Sequence, residues 1–185
     1  MSENDRIRWD AAYTGRESGA VPALPQAFRG HADRFPVTGT ALDVACGSGL
    51  GSMWLARRGL QVRGVDVSAV AITQARQLAA YHGVAERCRF DVADLDRGLP
   101  AGPPVDVVLC HRFRDSGLYP ALAARLRPGG LLAICVLSEV GADPGRFRAP
   151  AGELEAAFAG LEMLAAHEGG GEAWLLARAP LTGRR

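Results

Sequence analysis

The sequence predicts an α/β fold: a doubly wound, mainly parallel sheet of about seven strands, ending in a C-terminal antiparallel hairpin strand and preceded by an N-terminal helical extension. Three observations carry this. The short apolar run Ala41-Leu42-Asp43-Val44-Ala45 passes into the glycine-rich turn Cys46-Gly47-Ser48-Gly49 and then into a helical pattern. From residue 41 onward strand patterns alternate with helical ones, which implies right-handed crossovers and parallel strands. In the tail that alternation stops, and two strand-like runs flank Glu168-Gly169-Gly170-Gly171-Glu172, the pattern of a hairpin.

Residues 1–40 differ in character from the rest of the chain. They read as a helical lid punctuated by Pro22, Pro25 and Pro36, set on a Rossmann-like core over 41–185, the whole forming one domain. The first strand is 41–45, and the helix after its turn is 50–58. A second strand, 61–66, ends in Asp66. Over 68–82 the residues Val70, Ile72, Ala75, Leu78 and Ala79 approximate one helical stripe, with Ser68 as N-cap. Strands follow at 87–92 and 105–110, then a helix over 116–125. Pro128-Gly129-Gly130 ends that helix ahead of a fifth core strand, 131–137. A short helix at 153–158 precedes the hairpin strands 161–167 and 173–179.

Composition excludes several function classes. The chain has 185 residues, and with 48% of them hydrophobic it can bury a sizeable core. No run is long and apolar enough to span a bilayer, and the stretch from Met1 to Asp10 is polar. The expectation is a soluble cytoplasmic protein with no membrane partner. All 21 basic residues are arginine. Without lysine there is no Walker-type phosphate loop and no pyridoxal-phosphate Schiff base. A net charge of +1 with no dense basic block gives nucleic-acid binding no electrostatic support. Cys46, Cys88, Cys110 and Cys135 lack metal-ligand or redox spacing, so buried reduced thiols and no metal are expected.

The chemistry sits at the first strand. Glycines there let a backbone approach a ligand closely, and the acid closing the second strand is placed to accept hydrogen bonds from ribose hydroxyls. NAD fits poorly: the pattern is Gly47-x-Gly49-x-Gly51, and Ser52 stands where the dinucleotide fingerprint wants Gly or Ala. Leu42-Asp43-Val44-Ala45-Cys46-Gly47-Ser48-Gly49 resembles the first motif of the class I S-adenosylmethionine-dependent methyltransferases. Gly64-Val65-Asp66-Val67-Ser68 resembles their second, Val92-Ala93-Asp94-Leu95 the third and Val105-Asp106-Val107-Val108-Leu109-Cys110 the fourth. Leu126-Arg127-Pro128-Gly129-Gly130-Leu131 is similar to the turn before their fifth strand. The resemblance covers about residues 41–179.

That resemblance implies S-adenosyl-L-methionine as cofactor. Its methionine and ribose part would lie against Ala45, Cys46, Gly47 and Gly49. Asp43 would order the turn or reach the amino group, and Asp66 would take both ribose hydroxyls. Val67 would pack on the adenine, with Ala93, Asp94 and Leu95 at its edge and Cys110 lining the point between strands one and four. Trp9-Asp10-x-x-Tyr13 and Phe147-Arg148-Ala149-Pro150 resemble segments of the small-molecule branch of tellurite-resistance and thiopurine type, in which the tyrosine approaches the methionine end. For the acceptor the candidates are His111 as proton-accepting or orienting group, with Trp9, Arg112, Arg114 and Ser138 around the substrate. Asp106, early in strand four, is expected to be structural. The implied activity is methyl transfer to a small molecule by a monomer or homodimer without nucleic-acid partner. The alternatives are a non-catalytic binder of the cofactor or its product, and a protein or RNA methyltransferase that needs a partner.

Overall fold

The structure, a computed structural model, describes residues 3–15 and 21–181. Parts of the expected extension (1–2 and 16–20) and the last four residues (182–185) lie outside the described residues. Helix α1 (Glu3–Tyr13) and a pair of tight helical turns over Gln26–Arg34 precede the core. The core then runs β1 (Thr40–Val44), α2 (Leu50–Arg58), β2 (Gln61–Asp66), α3 (Ala69–Tyr81), β3 (Cys88–Val92) and β4 (Val105–His111). It continues through α4 (Tyr119–Ala124), β5 (Leu126–Ser138), β6 (Arg148–Ala149), α5 (Glu153–Ala157), β7 (Glu162–Gly169) and β8 (Glu172–Arg178).

The sheet order is β3-β2-β1-β4-β5-β8-β7, with β6 pairing on β5. Strands β1 to β5 are mutually parallel, and β8 lies antiparallel between β5 and β7. The parallel strands are apolar because helices cover both faces. On one face Ala41, Val107 and Leu109 pack with Leu55, Ile72, Phe90 and Phe28. On the other, Leu42, Val44, Val108 and Cys110 pack with Leu122, Leu154 and Phe158. Simple alternation would put Val105 on the face of Val107, yet it packs on the opposite one. A register shift between Val105 and Val107 against β5 accounts for this. Because the chain winds outward from β1 to β3 and returns to β4 beside β1, the carboxyl ends of β1 and β4 form the switch point where such sheets leave a crevice.

Some boundaries depart from expectation for local reasons. The helix expected over 116–125 is a single turn, Ser116–Leu118, capped by the Asp115 carboxylate on the Gly117 N–H, followed by the shorter α4. Pro120 is tolerated only in a first α-helical turn, so the α-helix starts at Tyr119. Strand β5 begins at Leu126, taking in the Pro128-Gly129-Gly130 turn, and the hairpin closes through Gly170-Gly171 alone. The two-residue β6 has too little pattern to be legible. Asp106 is structural as expected: it accepts from the Thr40 N–H at 2.6 Å and pairs with Arg127 at 2.9 Å.

Helix α1 docks on the start of α3. Asp10 Oδ1 accepts from Ser68 Oγ at 2.6 Å and from the Val70 N–H at 3.3 Å. Gln74 Nε2 donates to the Tyr13 carbonyl at 2.7 Å. Ser68 is the N-cap, receiving the Ala71 N–H at 3.1 Å. The Ser68 hydrogen bond, with the N–H groups at the head of α3, holds the Asp10 carboxyl below its ordinary value. Arg8 lies 5.4 Å over the Trp9 ring and 5.5 Å over Phe147, joining α1 to the loop ahead of β6.

Beyond β4, Arg114 forks onto Glu153. Its Nε donates to Oε1 at 2.8 Å and its Nη2 to Oε2, while the Tyr119 hydroxyl donates to Oε1 at 2.8 Å. The Arg114 hydrogen bond holds the Glu153 carboxyl below its ordinary value. Glu153→Gln leaves a mostly buried guanidinium without its counter-charge, a loss of about 2 kcal/mol. Thermal unfolding followed by circular dichroism should show a midpoint lower by about 4–8 °C. An unchanged midpoint would mean that the triad adds nothing to stability.

Candidate active site

A cavity of about 480 Å³ opens at the switch point, within the size range of small-molecule sites. Its floor is the end of β1 with the turn after it: Asp43, Ala45, Cys46, Gly47 and Ser48. Asp66 enters from β2, Leu109 and His111 from β4, and Arg112 from just beyond it. One wall belongs to the N-terminal segment, with Trp9 and Tyr13 from α1 and Leu24, Pro25, Gln26 and Arg29 beyond it.

Asp66 is 6% exposed. Its Oδ2 accepts from the Gly47 N–H and its Oδ1 from the Ser68 N–H, each at 2.9 Å. Burial raises its carboxyl above the ordinary value, and those N–H groups offset the rise only in part. A carboxylate offers about four acceptor positions. Among the described residues the Gly47 and Ser68 N–H groups take two of them, and the carboxylate lines the cavity with acceptor capacity left for a ligand.

Asp43 lies deeper. It accepts from Ser52 Oγ at 2.6 Å, and burial pushes its carboxyl up to about 7. Gly47 has φ +54°, and a Cβ there would collide with the Tyr13 hydroxyl. The absent side chain is therefore what lets α1 close over the turn. Gly49, φ +77°, does not line the cavity. A Cβ on it would meet the Phe90 ring at 2.8 Å, so its smallness serves the packing of the turn on β3. Among the described residues only Ala45 (φ 54°) and Arg112 (φ 59°) take left-handed backbone without being glycine, and both line the cavity. Such conformations cost on the order of 1–3 kcal/mol and gather at functional sites.

His111 is half-buried. Burial first, then the charge of Arg112, lower its pKa, partly offset by Glu172. Arg112 is tied to that glutamate, Nη2 to Oε1 at 3.0 Å, and its own N–H donates to the Cys135 carbonyl at 2.7 Å.

Of the residues singled out from sequence, the structure brings Trp9, Tyr13, Asp43, Ala45, Cys46, Gly47, Asp66, His111 and Arg112 to this one cavity. Val67, Ala93, Asp94 and Leu95 are not in its lining. Val67 and Leu95 are buried, and the Ala93 N–H donates to the Asp66 carbonyl at 2.8 Å, so this strand end adjoins Asp66 outside the cavity. The Asp94 side chain caps its own turn, accepting the Asp96 N–H at 3.1 Å.

Three residues expected at the site are engaged elsewhere. Cys110 is fully buried, its S–H facing the Phe113 carbonyl at 3.5 Å, and burial raises its pKa so that it stays a thiol. Arg114 is spent on Glu153. Ser138 is buried at the hairpin, donating to Glu168 at 2.9 Å and accepting the Val140 N–H at 3.0 Å. Sequence reasoning missed the wall formed by Leu24, Pro25, Gln26 and Arg29. Its only local signal is Pro22 and Pro25, which mark a turn but not that the turn folds back over the sheet edge.

The family described as "Methyltransferase domain" matches residues 41–130. The Ribosomal RNA small subunit methyltransferase C of Alcanivorax borkumensis is 36% identical over 143 residues, covering 71% of this chain and 42% of its own length. The chain thus spans less than half of that relative. Among solved structures, the DhpI-SAH complex superposes with a TM-score of 0.69 at 21% identity over 97% of both chains. TehB from Haemophilus influenzae does so with 0.69 at 18% identity over 83% of this chain and 60% of its own. At such identities the likeness is one of fold.

Proposed function

We propose that this chain, whose residues 41–130 match the methyltransferase-domain family, is a class I S-adenosylmethionine-dependent methyltransferase that transfers a methyl group to a small molecule, with S-adenosylmethionine held at the switch-point cavity. The observation that carries this is Asp66: a buried carboxylate at the end of β2, fixed by the Gly47 and Ser68 N–H groups and lining the cavity, where it can accept from a ribose diol. The glycine-rich turn supports the reading, since Ala45, Cys46, Gly47 and Ser48 line the cavity beside Asp66.

Asp66 would hold the ribose, the turn Ala45 to Gly47 the methionine part, and the strand end at Ala93 to Leu95 the adenine. Trp9 and Tyr13, with ring centres 6.4 Å apart, line the cavity with aromatic surface suited to a sulfonium at the methionine end. When bound, S-adenosylmethionine supplies an electrophilic methyl carbon, which an acceptor lone pair takes as the carbon–sulfur bond breaks to leave S-adenosylhomocysteine. This chain's part is to orient the acceptor and exclude water. The wall from α1 and Pro25 encloses one side of a cavity of about 480 Å³, which suits a small acceptor. With a net charge of +1 and no dense basic block, nothing in the charge distribution favours RNA as the acceptor.

His111 accepts the acceptor's proton on a ring nitrogen in this reading. Its lowered pKa keeps the imidazole neutral at pH 7, the form a base requires. At saturating cofactor and acceptor, kcat should be flat at neutral pH and fall only on the acid side, with a midpoint below about 6.5. His111→Ala should abolish that limb and slow turnover while cofactor affinity, measured by calorimetry, stays the same. Release of S-adenosylhomocysteine across phenols, thiols, amines and metalloid oxyanions is the assay. Turnover of none of them would leave the reading of a non-catalytic cofactor binder, and an unchanged rate in His111→Ala would remove the histidine from proton transfer.

A further inference from the structure

Charge is segregated within the cavity. Its carboxylates, Asp43 and Asp66, sit on the β1–β2 side, while its guanidiniums, Arg29 and Arg112, sit on the lid and β4 sides. We propose that the acceptor is a small organic anion with a flat apolar body, its carboxylate or similar oxyanion received by Arg29 with help from Arg112; this rests on the methyl-transfer reading.

Arg29 is itself exposed, on a segment that is anchored to the core. The preceding residue, Phe28, is fully buried, packs on Phe35 at 6.5 Å and meets Trp174 edge-on at 6.0 Å. Arg29 Nε donates to the Leu24 carbonyl at 3.3 Å, which uses one edge of the guanidinium and leaves both terminal nitrogens for a ligand. Among the described residues no carboxylate pairs with Arg29. A guanidinium presented in that way matches a carboxylate with two parallel hydrogen bonds.

Arg112 is held by its own backbone and by Glu172, so it stands at the β4 side already oriented, with donors to spare beyond the one that Glu172 takes. Trp9 and Phe113 line the same cavity and offer aromatic surface for a flat body. An anion here would face a cationic rim and lie away from Asp66, whereas a cationic acceptor would meet both arginines. If the two arginines are only solvated surface groups, a charged acceptor and its neutral isostere bind alike.

The test uses binding rather than turnover. Protein saturated with S-adenosylhomocysteine is titrated by calorimetry with para-hydroxybenzoate and para-hydroxybenzamide, and with para-hydroxyphenylacetate and its amide. Each carboxylate is expected to bind at least about ten-fold tighter than its amide, the scale of one charge-assisted pair. Arg29→Ala should remove most of the preference and Arg29→Lys should restore part of it. Equal affinities within both pairs, binding of no probe, or a preference that survives Arg29→Ala overturns the inference while leaving methyl transfer standing. Failure of S-adenosylhomocysteine itself to bind would overturn the methyl-transfer reading first, and this inference with it.

Discussion

Asp66→Ala is expected to weaken S-adenosylmethionine binding by two to four orders of magnitude. Two ribose hydroxyls donating to a charged acceptor contribute about 1.5–3 kcal/mol each, and every 1.4 kcal/mol is about a factor of ten. Alanine also releases the Gly47 and Ser68 N–H groups, which the carboxylate holds at 2.9 Å, so the turn beneath the ligand loses its anchor together with the ligand's partner. Asp66→Asn separates the two effects. Its single carbonyl oxygen keeps one of the two anchors and stays neutral, so its affinity should fall between those of wild type and alanine. Calorimetric titration of the three proteins, each checked for native circular dichroism, gives the order directly. Equal affinity in wild type and Asp66→Ala would show that the sugar lies elsewhere, and would remove the observation on which the proposed function rests.

The parts of this site that could be read in advance are those whose geometry is local. Asp43, Gly47 and Asp66 sit at strand ends or in a tight turn, where the pattern of a parallel α/β unit dictates which end of the sheet they occupy. Ser68 was legible as an N-cap for the same reason, since a cap is set by its next three residues. Illegible features depend on partners far along the chain. Arg114 and Ser138 follow strands that end at the ligand edge, yet Glu153, 39 residues on, and Glu168, 30 residues on, draw them away. Arg29 reaches the cavity beside Phe28, which anchors against Trp174, far along the chain. No local periodicity encodes such a contact. Strand alternation misleads at Val105 for a related reason: the shift in register belongs to the pairing of β4 with β5, not to either strand alone.

Asp43 provides the second large effect, and its sign changes with what occupies the cavity. In the folded chain without ligand, burial raises its carboxyl from 3.8 to about 7. The folded state therefore binds this proton more tightly than the unfolded chain does. The stability it contributes is complete below about pH 4, declines between about pH 4 and 7, and is gone above that, where a buried charge remains. At 1.36 kcal/mol per pH unit the full span is about 4 kcal/mol. Asp43→Asn stays neutral at every pH and retains an oxygen to accept from Ser52 Oγ. The variant should thus unfold at a higher temperature than wild type at pH 8, by up to about 8–16 °C, and at nearly the same temperature at pH 4. A cationic ligand reverses the preference, because an ammonium or sulfonium near Asp43 favours the ionised form. Cofactor affinity in wild type should then fall about ten-fold per pH unit below about 7, with a proton released on binding, and Asp43→Asn should bind weakly with no such dependence. Calorimetry in buffers of different ionisation enthalpy measures the released proton. A wild type whose unfolding and binding curves track those of the asparagine variant across this range would mean that the carboxyl neither carries a buried charge nor senses the ligand, and its place under the cavity would be only that of a brace for Ser52.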